Sequence, residues 1–167
     1  YIRRHFAKES SVLIVAGAGN NGADGIALAR LLHQDYDVKL HLPFGVKSAM
    51  AKLQWSRAKA LGVKKTDAVG GADVIVDAVF GAGINRPLDD QTILLLHKLN
   101  SVEGLKVACD IPTGVGEDGS LMPIAFKADV TLTMGAYKEA LYLDESKDVI
   151  GKIERLNLGL SSSLYET

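Results

Sequence analysis

The chain has 167 residues, of which 47% are hydrophobic and 6% aromatic, and this composition predicts one globular domain with an aliphatic core. Nineteen basic and twenty acidic side chains give a formal net charge of −1, which excludes a broad basic field for nucleic acid or anionic membranes. The single cysteine, Cys109, excludes an internal disulfide and a cysteine-based zinc site, and it fits a reducing compartment.

We expect no signal peptide, and no apolar run in this sequence reaches the ~18 residues that a membrane helix needs. We therefore expect a soluble, cytoplasmic protein. The chain opens YIRRHFAKES without a methionine and closes SSSLYET. We treat residues 1–167 as one domain, and it stays open whether this domain is one piece of a longer polypeptide.

The segment VLIVAGAGNNGADGIALAR, residues 12–30, predicts a strand, a glycine-rich turn and a helix. Gly17, Gly19 and Gly22 have the GxGxxG spacing, which lets backbone N–H groups approach a phosphate at a helix N-terminus. The turn also holds two asparagines and an aspartate, which a plain dinucleotide-binding turn does not require. The alternative is a nucleotide-free turn with an aspartate N-cap.

Helices and strands alternate along the rest of the chain. A helix over residues 23 to about 34 precedes the strand VKLHLP and a helix over 47–61, and a strand over 73–80 precedes the helix DDQTILLLHKLN. LKVACDIP and ADVTLTMG are two further predicted strands. This alternation predicts an α/β fold with a mostly parallel sheet covered on both faces. We interpret YKEALYL and GKIERLNL as edge strands or a closing hairpin.

Two carboxylates stand at the ends of predicted strands. Asp77 lies near the end of VIVDAVFG, and Asp110 ends VACD before the loop DIPTGVG. If these strands neighbour VLIVA, then Asn21, Asp77 and Asp110 converge on one crevice at the carboxyl ends of the strands. The alternatives are that Asp77 accepts backbone N–H bonds and that Asp110 forms a turn.

A carboxylate at a buried strand end is costly unless it is paired or holds a cation. No lysine or arginine is close to Asp77 or Asp110 in sequence, which leaves a distant base, a hydrogen-bond network or a bound metal. Together with the Asn21 amide oxygen and the Thr113 hydroxyl, these oxygens suit a hard cation and not zinc. The low charge of the set favours a monovalent ion.

Ordinary NAD redox chemistry and Walker-type phosphate binding do not fit this sequence. A hydride-transferring fold needs an acidic residue at the end of the second strand, but that strand ends LHLPFG. No GK[ST] follows the glycines, so a Walker A loop is absent. The four histidines are scattered without metal spacing, and we interpret Cys109 as a small buried hydrophobe.

The motifs GAGNNGADG, VDAVFGAG, DIPTG and TMGAYKEAL, in this order, resemble the YjeF N-terminal family, the NAD(P)H-hydrate epimerases. The resemblance implies a Rossmann-like, doubly wound three-layer sandwich. It also implies an isomerase that interconverts the R and S epimers of hydrated NADH and NADPH (NADHX and NADPHX), a nucleotide-repair reaction. A potassium ion would be bound by Asn21, Asp77 and Thr113. The implied substrate contacts are Asn20, Asn21, Gly22, Ala23, Asp24, Gly81, Ala82, Gly83, Ile84, Asn85, Arg86, Pro87 and Asp110.

Within this hypothesis Asp110 is the catalytic acid and base, and the asparagine turn holds the pyrophosphate. The chain departs from the family at Ala23, where a second glycine is usual, and at Tyr137, where GAPK is usual, while Lys138 is retained. The family also implies a homodimer and a fused or separate ADP- or ATP-dependent dehydratase. The alternative is a non-catalytic Rossmann-like scaffold for dimerisation and RNA or nucleotide contact, as in the related domain of enhancer-of-decapping proteins.

Overall fold

The structure, a computed structural model, describes residues 1–82, 84 and 87–159. Seven strands form one sheet in which every neighbouring pair is parallel. The strands are β1 (Ser11–Ala16), β2 (Asp37–His41), β3 (Lys64–Thr66), β4 (Val74–Ala78), β5 (Leu105–Cys109), β6 (Val130–Met134) and β7 (Lys152–Leu156). Their order across the sheet is β3-β2-β1-β4-β5-β6-β7.

Three helices of 12 or 13 residues cover the sheet, and shorter helical turns lie at its margins. Two of these helices begin with an N-cap residue, Ser48 or Asp89. The side chain of each N-cap accepts a hydrogen bond from a backbone N–H in the first turn, which fixes where the helix begins. The helices are α1 (Ile2–His5), α2 (Asn20–Leu32), α3 (Ala49–Ala60), α4 (Asp90–Ser101) and α5 (Lys147–Ile150), with a 3₁₀ helix over Glu139–Tyr142.

The core lies on both faces of the sheet, because successive side chains of a strand point in opposite directions. On one face Val12 and Ile14 of β1 pack with residues of α2 and α3. On the other face Leu13 and Val15 pack with α4, including Leu96, which is fully buried. Strands buried on both faces explain the near-continuous apolar runs of the sequence. No helix in residues 1–82, 84 and 87–159 is long and apolar enough to cross a membrane.

The predicted α/β class is confirmed, and two local interpretations change. The first helix begins at Asn20 rather than at Ala23, so both asparagines lie inside its first turn. The segment that contains YKEALYL forms a 3₁₀ helix instead of a strand, and β7 joins β6 in parallel, so the interpretation of a closing hairpin is wrong. A parallel partner requires a crossover, which the 3₁₀ helix and α5 supply here.

Candidate active site

The strand order changes direction between β1 and β4. The chain runs from β1 outward to β2 and β3, then returns to β4 and continues outward through β5, β6 and β7. In the register of the sheet Val15 pairs with Asp77, and Asp77 pairs with Ala108, so the carboxyl ends of β1, β4 and β5 lie side by side. Open parallel sheets bind ligands at such a switch point, between the diverging loops.

The three glycines of the turn after β1 have different surroundings. A Cβ atom on Gly17 would lie 2.0 Å from the carbonyl oxygen of Val79, and one on Gly22 would lie 1.8 Å from that of Gly17. These two glycines therefore allow α2 and β4 to pack closely against the turn. A Cβ atom on Gly19 would meet nothing within 4 Å, so this glycine faces open space.

The first turn of α2 presents unpaired hydrogen-bond donors beside that open space. In the part of the chain that the structure describes, the backbone N–H groups of Asn20, Asn21 and Gly22 donate to no acceptor. The side chain of Ala23 is 1% exposed and packs into the core, so its methyl group does not face the open side of the turn. The helix N-terminus is thus suited to an anion such as phosphate.

Asp77 is fully buried, and hydrogen bonds hold both of its carboxylate oxygens. Oδ2 accepts the backbone N–H of Thr113 at 2.8 Å, while Oδ1 accepts the Thr113 hydroxyl at 2.8 Å and the Val79 N–H at 3.1 Å. The Thr113 hydroxyl oxygen in turn accepts the N–H of Phe80 at 3.0 Å. Burial raises the pKa of Asp77 to about 6, although these hydrogen bonds favour the ionised form.

Asn21 lies close to this group but does not bond to it. Its side chain is within 3.4–3.6 Å of the position that a Cβ atom on Gly81 would occupy, and Gly81 follows Phe80 directly. No hydrogen bond joins Asn21 to Asp77 or Thr113 among the described residues, and the Asn21 side-chain nitrogen is buried without a partner. A buried N–H donor without a partner is expensive, so the position of the Asn21 side chain is not explained by hydrogen bonds to the described residues.

The donor set around Asp77 fits a weakly charged hard cation. A carboxylate has about four acceptor sites, of which three are used here, and the Thr113 hydroxyl oxygen keeps a second lone pair. The neighbouring oxygens are neutral. No cluster of three or more His, Cys, Asp or Glu side chains that could hold a metal ion occurs within residues 1–82, 84 and 87–159. These oxygens therefore fit a monovalent ion better than zinc, calcium or magnesium.

Asp110 adopts an uncommon backbone conformation. Its φ of 73° lies in the left-handed region, and the Ile111 N–H bonds back to the Cys109 carbonyl across it at 3.0 Å. An i to i+2 bond around a residue with positive φ is the rarer form of the γ-turn, which is strained. Strain of this kind persists where the surrounding structure imposes it, often at functional sites.

The Asp110 carboxylate pairs with Lys138, which follows β6. The Lys138 ammonium donates to Asp110 Oδ1, to the Thr133 hydroxyl at 3.0 Å and to the Met134 carbonyl at 2.8 Å. The distant base that the sequence leaves open for these carboxylates is thus Lys138, and it serves Asp110 and not Asp77. Both charged groups are mostly buried, with side-chain exposures of 24% for Lys138 and 14% for Asp110.

Three carboxylates act on Cys109. Burial raises the pKa of its thiol to about 12, and the negative charges of Asp24, Asp77 and Asp110 add to the shift. Burial and the charge of Asp110 also raise the pKa of Asp24. Asp24, Asp77 and Asp110 therefore all lie near Cys109, at the carboxyl ends of the strands. Cys109 itself stays a neutral thiol, as expected of a small hydrophobe, but its side chain is half-buried and not fully buried as the sequence suggested.

A cavity of about 250 Å³ lies beside Lys138 and is lined mostly by apolar side chains, including Ile84, Ile111 and Val115. Ile84 belongs to the loop over 81–87, which the sequence assigns to substrate contact. Gly81 and Ala82 begin that loop and Pro87 ends it. Its other three members, Gly83, Asn85 and Arg86, lie outside the described residues.

Sequence reasoning missed the Thr133 hydroxyl and the Met134 carbonyl as partners of Lys138, since neither group stands out in VTLTM. It did single out Lys138, through the motif TMGAYKEAL. The assignments of Asn21, Asp77 and Thr113 to a cation, and of Asp110 to proton transfer, stay predictions.

Comparison with known proteins gives a consistent result. A family model described as "YjeF-related protein N-terminus" matches residues 1–140. The NAD(P)H-hydrate epimerase of Limosilactobacillus fermentum is 31% identical over 159 residues, covering 91% of this chain and 76% of that protein. The epimerase of Leuconostoc citreum is 35% identical over 156 residues, covering 89% and 70% respectively.

Longer proteins match as well. The bifunctional NAD(P)H-hydrate repair enzyme of Helicobacter pylori is 36% identical over 164 residues, which cover 94% of this chain but only 35% of the enzyme. The chain therefore spans about a third of that bifunctional relative. The crystal structure of yeast ynu0 superposes with a TM-score of 0.70 at 21% identity, over 90% of this chain and 66% of the yeast chain, which shows a shared fold.

Proposed function

This chain belongs to the YjeF-related N-terminal family, and from that premise we propose that it interconverts the R and S epimers of hydrated NADH and NADPH. The observation that carries the proposal is that the unpaired backbone amides of α2 and the Asp110 carboxylate both lie at the carboxyl ends of the strands. The first group suits a pyrophosphate and the second suits proton transfer. The names of the Limosilactobacillus and Leuconostoc relatives support this reaction.

The substrate would bind with its pyrophosphate at the first turn of α2. The N–H groups of Asn20, Asn21 and Gly22 would donate to phosphate oxygens, and the open space at Gly19 would let the phosphate approach the backbone. We propose that the hydrated nicotinamide ring lies in the apolar cavity beside Lys138, whose volume of about 250 Å³ is sufficient for one such ring.

Asp110 would move the proton. In its protonated form Asp110 gives its proton to the ring hydroxyl, and the carbon–oxygen bond breaks. Water departs, and a planar iminium-like cation remains. The resulting carboxylate stabilises that cation through its negative charge. A water molecule then adds to the same carbon from the opposite face and returns one proton to Asp110. At the end Asp110 is protonated again and the ring carries its hydroxyl, so only the configuration at that carbon has changed.

We further propose that Asp77, Thr113 and Asn21 hold a potassium ion. The spare acceptor sites of Asp77 and Thr113 support this assignment, and the Asn21 side chain lies beside Gly81, close enough for its amide oxygen to complete the set. When bound, the ion would supply a fixed positive charge near the substrate phosphates. A dehydratase partner, fused or separate, and a homodimeric state are part of the same proposal, and the bifunctional relative supports the partner.

The test is an assay of epimer exchange with purified protein. The S epimer of NADPHX is removed from an equilibrium mixture by chromatography, and its return is followed with and without the chain. We expect return of the S epimer to be accelerated, and Asp110→Asn to reduce this rate by about 100-fold or more. A chain that binds the dinucleotide but does not accelerate return would favour the scaffold alternative.

A further inference from the structure

The ammonium group of Lys138 is held on three sides. Its three acceptors are the Asp110 carboxylate, the Thr133 hydroxyl and the Met134 carbonyl. An ammonium group has three N–H donors and no acceptor, so these contacts use its full hydrogen-bonding capacity. Lys138 is therefore saturated by the protein and has no donor left for a substrate.

The two oxygens of Asp110 differ sharply in their surroundings. Oδ1 accepts both the Lys138 ammonium and the Met134 N–H, the latter at 3.1 Å. Two bonds fill the usual acceptor capacity of one carboxylate oxygen. No hydrogen bond reaches Oδ2 from any residue that the structure describes. The carboxylate is thus anchored through one oxygen, and the other keeps its lone pairs for a proton.

Backbone hydrogen bonds also fix the position of Asp110. The Asp110 N–H bonds to the Leu132 carbonyl at 2.9 Å, and the γ-turn at φ 73° fixes the residue beyond the end of β5. Lys138 restrains the other end of the side chain from the loop after β6. Because both its backbone and its carboxylate are held, the Asp110 side chain loses little rotational freedom on reaching the transition state.

We propose that Lys138 is the positioning residue for Asp110: its ammonium fixes Oδ1 and thereby makes Oδ2 the oxygen that gives and takes the proton. Lys138 itself donates no hydrogen bond to the substrate and transfers no proton. This inference rests on the proposed epimerase activity. It predicts that removal of the ammonium lowers turnover while substrate affinity, which depends on the α2 amides, is preserved.

The experiment compares kcat and KM for epimer exchange in four proteins: the wild type, Lys138→Met, Lys138→Cys and the control Lys152→Met. Lys152 also forms an ion pair, with Glu154 at 2.7 Å, but on the exposed edge strand β7. The Lys138→Cys protein is then alkylated with 2-bromoethylamine, which restores an ammonium at nearly the original length, or with iodoacetamide, which adds a neutral group of similar size.

We expect Lys138→Met to lower kcat by about 10-fold or more with KM changed less than about 3-fold, and Lys152→Met to match the wild type. Aminoethylation of Lys138→Cys should restore most of the lost turnover, and the neutral adduct should not. Equal recovery with both reagents, or a Lys138→Met protein with wild-type kcat, would overturn the positioning role while leaving the epimerase intact. A wild-type protein without epimer exchange would instead reject the proposed function and this inference with it.

Discussion

Replacing Thr113 by valine should destabilise the chain although the two side chains have nearly the same shape. The Thr113 hydroxyl donates to Asp77 Oδ1 at 2.8 Å and accepts the Phe80 N–H at 3.0 Å, and the residue is only 1% exposed. Loss of a hydrogen bond to a charged group costs about 1.5–3 kcal/mol, and an unpaired buried N–H costs about 1–3 kcal/mol. We therefore expect the free energy of unfolding to fall by about 2.5–6 kcal/mol.

The matched control is Thr113→Ser, which keeps the hydroxyl and removes one methyl group. That change should cost about 1 kcal/mol, the usual value for a buried methyl or methylene group. Urea unfolding, followed by the fluorescence of the only tryptophan, Trp55, gives the free energies of all three proteins. Each protein is measured in potassium chloride and in choline chloride of equal ionic strength.

The proposed cation site adds a second readout to the same experiment. Potassium should stabilise the wild type and the serine protein, because a ligand that binds only the folded state adds to its stability. It should have little effect on the valine protein. A valine protein within about 1 kcal/mol of the wild type would refute the reasoning about the hydrogen bonds, and a potassium effect of equal size in all three proteins would exclude Thr113 as a ligand.

Three further outcomes can be measured. In the folded chain the pKa of Asp77 is raised from 3.8 to about 6, so the folded chain holds this proton more tightly than the unfolded chain. In potassium-free buffer the free energy of unfolding should therefore fall as the pH rises from about 4 to about 6. The fall is at most about 3 kcal/mol, and urea titrations of Asp77→Asn should lack it. Gly22→Ala should destabilise the fold by several kcal/mol through its 1.8 Å clash with Gly17, whereas Gly19→Ala should cost less than about 1 kcal/mol and weaken NADP binding in calorimetry. Cys109 should react with a thiol reagent at pH 8 only after unfolding, and rapid reaction of the native protein would contradict its raised pKa.

The sheet was largely predictable because its strands carry a local signal. VLIVA and VIVDAVF are apolar, β-branched and bounded by glycine, and strands that alternate with helices can join only through right-handed crossovers. These rules leave open which strands are neighbours, and the structure supplies the answer, with β1 beside β4 and β4 beside β5. The 3₁₀ helix over Glu139–Tyr142 carries no comparable signal, since its consecutive apolar residues, Ala140, Leu141 and Tyr142, fit a short strand as well as a helical turn.

The start of α2 shows how packing overrides local propensity. Asparagine and glycine are poor helix formers, so the sequence favours a helix that begins after Gly22. In the structure Gly22 lies directly against the Gly17 carbonyl, a contact that a helical first turn makes possible and that any side chain on Gly22 would prevent. The extra helical turn moves the unpaired N–H groups to Asn20 and Asn21, next to the proposed phosphate position.

The environment of Asp110 could not be predicted from local sequence, because it depends on residues 22 to 28 positions away. Leu132, Met134 and Lys138 together fix the backbone and one carboxylate oxygen of Asp110. The left-handed φ of 73° is costly for most residues, but aspartate and asparagine tolerate it better than others. Asp110→Asn therefore leaves the backbone unchanged and alters only the exchangeable proton and the charge, whereas Asp110→Ala would also disturb the γ-turn. For that reason a loss of turnover in the asparagine protein, at unchanged unfolding free energy, reports on the proton and the negative charge of Asp110 and not on a disturbed fold.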